Sequence, residues 1–284
     1  MLPSNASNAP WGFSTSMKIK KLIAIDLDGT LLTDDSRLLP ASESYLRGLS
    51  EKGYLIVLAS GRPWRSMEDF YKRIHCFGPA ICYNGAYTFD PKNPKFPPRV
   101  YSFPKKAVQD IYRRLKGKTT SFMCESNTDV FINRQDNYLD NFFWYTGMEI
   151  HVGEIDEILS CDPMTTIMKN AHQYDGLVES VCASYQDQGI NLHHWTASLY
   201  SELFREGADK GHALEYILDR LGLQKKDVIA FGDADNDDGM LERAGIAYAM
   251  KNCKSKILQK KYPSTKKGNN LNGVAQTLRD ELKL

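Results

Sequence analysis

Two aspartates stand one residue apart at the end of an apolar run: in IAIDLDGT, residues 23–30, the chain reaches Asp26 and Asp28 directly from Ile23-Ala24-Ile25. Burying a carboxylate without compensation costs roughly several kcal/mol. A strand ends this way where water, a cation or chemistry receives the charge. A second acidic burst, GDADNDDGML at 232–241, closes another apolar run and carries Asp233, Asn236 and Asp237. Ser60 ends the run YLIVLAS at 54–60, and Lys210 precedes a helical pattern in ADKGHAL at 208–214. Carboxylates around a hard cation that keeps its waters, with a hydroxyl and an ammonium nearby, suit phosphoryl transfer. A carboxylate can itself be the nucleophile there and become an aspartyl phosphate. The cation implied is magnesium.

These groups are far apart in sequence, so a frame must gather them. Short apolar runs at 21–26, 54–60, 79–83 and 227–232 read as central strands of a parallel sheet. Helical periodicity at 40–52, 63–75, 211–221 and 273–282 separates or follows them, with Pro40 opening and Gly53 and Gly222 ending helices. In an open parallel sheet, ligands bind beyond the carboxyl ends of the strands. Neighbouring strands 21–26 and 227–232 would bring Asp26, Asp28, Asp233 and Asp237 into one small volume.

Between these parts the pattern changes. DPKNPKFPPR at 90–99 reads as a boundary loop, followed by a helix from Pro104, a hairpin over TSFMCES and TDVFINR, and further strands at 164–169, 190–195 and 199–205. The expected fold class is α/β: a Rossmann-like doubly wound parallel sheet core, 17–87 and 198–284, with a large inserted α+β cap domain at 88–197. Residues 1–16 read as a disordered leader.

The quoted motifs DLDGTLL, LASGRP, DKGHAL and GDADNDDGML occur in the order found in the haloacid dehalogenase-like hydrolases, and YNGA at 83–86 with AMKN at 249–252 resembles the Cof-type sugar-phosphatase branch. The resemblance runs from about residue 18 to the end. It implies Asp26 as nucleophile and Asp28 as general acid and then base. It implies magnesium held by the Asp26 carboxylate, the Asp28 backbone carbonyl and the Asp233 carboxylate, with Asn236 and Asp237 as supports. Ser60 and Lys210 would grip the phosphoryl oxygens. The implied activity is hydrolysis of a small phosphate monoester, with a sugar phosphate as leading substrate class. A mutase or phosphotransferase using the same aspartyl phosphate, or a non-catalytic receiver-like phosphate-binding module, are the alternatives.

Several residues carry two readings. Gly61 and Arg62 could meet substrate, or Arg62 could brace its loop. Asn84 and Asn252 could be turn residues or site residues, and Asp235 and Asp238 read as solvated or helix-start charges. In the cap, Glu125, Asn127, His193, His194 and Ser198 are possible polar contacts. His193 and His194 adjoin on a strand and so point to opposite faces. The aromatic run FFWY at 142–145 reads as packing within the cap.

Bulk properties exclude other classes. The chain has 284 residues, 36 basic and 35 acidic, for a net charge of +1, so no global field points to nucleic acid or an acidic membrane. Its 6 cysteines form no CxxC pair and read as reduced thiols of a cytoplasmic protein. No apolar run approaches the ~20 residues of a membrane span. The partner expected is a small phosphorylated metabolite.

Overall fold

The structure is a computed structural model that describes residues 19–143, 147–194 and 199–283, without the side chains of 141–143. The leader, Ser198 and the side chains of the FFWY run lie outside that description. In chain order the strands are β1 (Leu22–Asp26), β2 (Leu55–Ala59), β3 (Ala80–Cys82), β4 (Tyr87–Phe89), β5 (Arg99–Val100), β6 (Thr119–Glu125), β7 (Asp129–Ile132), β8 (Glu149–Val152), β9 (Thr165–Asn170), β10 (Ile190–His194), β11 (Tyr200–Arg205), β12 (Val228–Gly232) and β13 (Ile246–Ala249). The chain divides into two compact units, 1–99 with 209–284 and 100–208.

The first unit is built on a seven-stranded sheet in the order β13-β12-β1-β2-β3-β4-β5. β13, β12, β1, β2 and β3 pair in parallel, and β4 adds antiparallel to β3. Every residue of β1, β2 and β12 is buried, which is why these strands read as unbroken apolar runs. One sheet face, with Leu22, Ala24, Val57 and Ala230, packs against Leu214, Ile217 and Leu218 of the helix Lys210–Leu221. The helices Pro40–Glu51 and Gly273–Leu282 pack on one another.

The second unit holds a six-stranded sheet, β10-β11-β9-β6-β7-β8. Phe122, Cys124, Phe131, Met168 and Leu203 of that sheet meet Val108, Ile111 and Leu115 of the helix Lys105–Leu115 and Val178 and Val181 of the helix Asp175–Ala183. The hairpin expected around 120–134 is present as the antiparallel pair β6–β7, and β8 joins β7 in parallel.

The division differs from the expected 88–197. β4 pairs with β3, and Phe96 is buried in the core beside Tyr216, whose hydroxyl donates to the Pro97 carbonyl at 2.7 Å, so the proline-rich stretch belongs to the first unit. At the other end β11 lies between β9 and β10 and belongs to the second. The helix expected over 63–75 is a turn at Trp64–Ser66 and a short helix, Glu68–Arg73. Among the described residues no helix is long and apolar enough to cross a membrane.

Candidate active site

β1 and β12 are neighbours, and the chain goes on from β1 to β2 on one side and from β12 to β13 on the other, so a crevice is expected between them at the carboxyl ends. Asp26 is the last residue of β1 and sits level with Ala59, which places Ser60 one step past the end of β2. Ile25 is level with Phe231, so Gly232 and Asp233 follow at the same edge. The loop after β1 closes tightly on Asp233. Gly29 has φ +79°, and a Cβ there would lie 2.3 Å from Asp233 Oδ2, so only glycine fits. Thr30 Oγ1 donates to Asp233 Oδ1 at 3.3 Å, and Asn252 Nδ2 holds the Gly29 carbonyl at 2.7 Å.

Lys210 arrives from the third segment. Asp209 caps the helix Lys210–Leu221 by accepting from the His212 N–H at 2.9 Å. A Cβ on Gly211 would lie 2.6 Å from the Gly239 backbone, so this helix approaches the one at Asp238–Glu242 closely enough to bring Lys210 beside Asp237. Asp237 folds back over the end of β12, where Gly232 has no side chain to obstruct it. Its Oδ2 accepts from the N–H groups of Asp233 and Ala234 at 2.9 and 3.1 Å. Lys210 Nζ then donates to Asp26 Oδ1 at 2.6 Å and Asp237 Oδ1 at 2.7 Å.

The electrostatics follow from burial. Desolvation, then repulsion from Asp237, pushes Asp26 well above the ordinary carboxylate range against the pull of Lys210. Desolvation and Asp237 likewise push Asp233 up to about 6. Burial acts to lower the Lys210 pKa, but attraction to Asp237 and Asp26 outweighs it and the net shift is upward. Asp26 Oδ2 is buried and has no hydrogen-bond partner. Asp26, Asp233 and Asp237 each offer an oxygen within 4.8 Å of the others. Three ionised carboxylates against one ammonium leave a formal charge of −2, which one divalent cation neutralises. An oxygen-only donor set with an orphaned buried oxygen fits magnesium.

A second group, Asp129, Glu149 and His151, lies in the other unit. Its needs are met internally: Asp129 Oδ1 pairs with His151 Nε2 at 2.9 Å and Ser126 donates to its other oxygen, while Glu149 is exposed.

The remaining expected residues sort as follows. The Asp28 carboxylate is half exposed, and Arg62 forks onto it, Nε to Oδ2 at 2.7 Å and Nη2 to Oδ1 at 2.6 Å, while Nη2 also reaches Ser36 Oγ at 2.9 Å. Arg62 is thus held by Asp28 and Ser36 of the segment that follows β1. Buried Ser60 accepts the Arg62 N–H on Oγ at 3.2 Å, which leaves its own proton to donate. Asn84 lies against Gly61, where a Cβ would be 3.1 Å from its amide nitrogen, and its Oδ1 accepts from Asn236 Nδ2 at 2.9 Å. Asp237, expected as a support, has both oxygens engaged, Oδ1 by Lys210 and Oδ2 by the N–H groups of Asp233 and Ala234. Asp238 begins a helix as expected but is paired, with Lys261 at 2.6 Å. Glu125 and His193 belong to the second unit: Glu125 is fully buried on β6 and His193 is exposed on β10. Thr30 escaped the sequence reading although it sits inside the quoted motif; its spacing from Asp28 was the available signal.

Comparison with known proteins shows the family of the chain. The chain is 29% identical over 270 residues to 5-amino-6-(5-phospho-D-ribitylamino)uracil phosphatase YitU of Bacillus subtilis, covering 93% of this chain and 98% of that one. It is 28% identical over 247 residues to pyridoxal phosphate phosphatase YbhA of Escherichia coli, covering 82% and 88%. A solved haloacid dehalogenase-like hydrolase from Bacteroides thetaiotaomicron shares the fold with a TM-score of 0.81 at 23% identity, over 93% of this chain and 99% of that one. A HAD subclass IIB sugar phosphatase does so with a TM-score of 0.75 at 17% identity, over 93% and 100%. With residues 23–278 matched by the model for haloacid dehalogenase-like hydrolases, the chain belongs to that family.

Proposed function

We propose that the protein is a magnesium-dependent phosphatase that hydrolyses a small phosphate monoester through an aspartyl phosphate on Asp26. The observation that carries this reading is the buried Asp26 carboxylate, one oxygen gripped by Lys210 and the other unpartnered beside Asp233 and Asp237. Magnesium would be held by the Asp26 and Asp233 carboxylates and the Asp28 backbone carbonyl, with Asn236 and Asp237 as supports, and would offset negative charge on the phosphoryl oxygens.

The chain's own groups do the rest. Lys210 orients the Asp26 carboxylate and adds positive charge, and the Ser60 hydroxyl donates to a phosphoryl oxygen. An Asp26 oxygen attacks phosphorus while the ester oxygen departs with a proton from Asp28. In the second half, Asp28 takes a proton from water, the water oxygen attacks phosphorus, and the Asp26 carboxylate is released with inorganic phosphate.

The relatives named above act on a phosphorylated ribityl compound and on pyridoxal phosphate, which supports a small phosphorylated metabolite, of the sugar-phosphate type, as substrate. The inserted unit is the natural carrier of selectivity. All six cysteines are free thiols, which supports a reducing cytoplasmic setting. A phosphate-release screen over phosphorylated metabolites tests the proposal. Release that requires magnesium and stops with chelator is expected. Release untouched by chelator would remove the metal, and isomerised substrate without free phosphate would make the protein a mutase.

A further inference from the structure

Besides the end of β1 with Asp26 and Asp28, three segments carry groups assigned to phosphoryl transfer: Ser60–Arg62, Asp209–Lys210 and Asp233–Asp237. One short turn, Tyr83–Gly85, touches all three. The Tyr83 N–H donates to the Arg62 carbonyl at 3.2 Å and the Asn84 N–H to the Ser60 carbonyl at 2.9 Å. The Asn84 amide oxygen accepts from Asn236 Nδ2 at 2.9 Å. Gly85 lies so close to the residue before Lys210 that a Cβ there would fall 2.3 Å from the Asp209 carbonyl oxygen.

The backbone that makes these contacts is unusual. Tyr83, Asn84 and Gly85 are left-handed in succession, with φ of 48°, 52° and 103°. For a side-chain-bearing residue this conformation costs roughly 1–2 kcal/mol, least for Asn. It persists only where the surroundings over-determine it, and such strain gathers at functional sites. Here the surroundings are the three catalytic loops themselves.

We propose that Asn84 is a positioning residue: through Asn236 it fixes the spacing between the Ser60 loop and the Asp233–Asp237 loop, so that the phosphate-gripping and metal-holding groups keep one geometry. This role engages only the Asn84 amide oxygen, which accepts from Asn236. It rests on the phosphatase reading of the site.

Asn84→Gly tests it, because glycine keeps the left-handed backbone and removes only the bridging amide. The wild type, Asn84→Gly, Asn236→Ala and the double variant are compared for kcat and KM on p-nitrophenyl phosphate with magnesium, for calorimetric affinity toward inorganic phosphate, and for Tm. Asn84→Gly is expected to lower kcat about tenfold or more, since small misplacements of reacting groups are costly. KM should move less than kcat, and Tm should stay within about 3 °C. Adding Asn236→Ala should lower kcat by less than about twofold further, as for two residues acting through one contact. A kcat within about twofold of wild type, or losses that multiply in full, overturns the proposal. If the wild type binds inorganic phosphate but hydrolyses no ester, the phosphatase reading alone fails. Phosphate affinity then decides the positioning role, weaker in Asn84→Gly if it holds and unchanged if it does not. A wild type that neither hydrolyses nor binds phosphate sinks both.

Discussion

Replacing Lys210 by methionine preserves side-chain length and removes the ammonium that stands between two buried carboxylates. Nζ lies 2.6 Å from Asp26 and 2.7 Å from Asp237, and the three side chains are 1%, 7% and 0% exposed. At such separations and an effective dielectric constant of about 20, attraction is on the order of 6 kcal/mol per pair. Desolvation of the three charges offsets part of this, and removing one partner of a buried ion pair typically costs about 3–5 kcal/mol. That range is the expected loss for Lys210→Met at neutral pH with chelator present. The loss should grow with pH, because the uncompensated carboxylates of the variant repel only when ionised, so its native state holds protons that its unfolded state has released. Urea unfolding near pH 5 and near pH 7.5, with chelator or with magnesium, measures these differences. Magnesium should restore part of the stability but not the rate, which should stay down about 100-fold or more for want of the charge on Lys210. A loss below about 1 kcal/mol at neutral pH, or one equal at both pH values, would refute the view that Lys210 neutralises this site.

Asp26→Asn should abolish phosphate release while keeping a cooperative unfolding transition; release near the wild-type rate would remove Asp26 as nucleophile. Gly29→Ala should weaken magnesium binding about tenfold or more by calorimetry, because the new Cβ meets Asp233 Oδ2 at 2.3 Å and a displaced ligand is costly. The metal-free wild type should lose stability as pH rises from 3.8 to about 6, since the native Asp233 pKa is raised above its ordinary value and the folded state holds that proton longer. Saturating magnesium should flatten that slope in denaturant titrations, and an unchanged slope would take Asp233 out of the metal site.

Much of this site was legible because burial leaves a mark on sequence. Leu22–Asp26 and Val228–Gly232 are buried at every position, so they read as apolar runs, and charge at their ends could be recognised as a site at strand tips. Asp237 was less legible. It was expected in the same small volume, but the contact that sets it there, the chain folding back over Gly232 where a Cβ would sit 2.4 Å from the Asp237 Cβ, is not written in the spacing. Arg62 had two readings because one arginine in a loop is equally suited to a substrate phosphate and to a neighbouring carboxylate. The boundary of the inserted unit was missed for a different reason. Four prolines between 90 and 99 signal irregular backbone, but irregular backbone can still pack, and Phe96 at 2% exposure ties that stretch to the first unit.

The excess negative charge at the sheet edge is the property that unites these residues. A site with two carboxylates and one lysine closer to neutrality would fold more easily, yet it would offer little attraction to a divalent ion that gives up its hydration shell reluctantly. Burial first, and then the repulsion of Asp237, raises the pKa of Asp26 and Asp233, and one Asp26 oxygen is left without a partner. On the proposed reading the repulsion disfavours the metal-free state, and its relief would become affinity for the cation, because only interactions that differ between the two states count toward binding. Lys210 limits how far this goes: it keeps the buried carboxylates from unfolding the edge of the sheet and holds Asp26 Oδ1 in place. The same balance explains why the loops here depend on glycine. Gly29, Gly211 and Gly232 are the positions where an added Cβ would push Asp233, Lys210 or Asp237 apart, and moving any of these charges by a fraction of an ångström would change both the repulsion and its remedy.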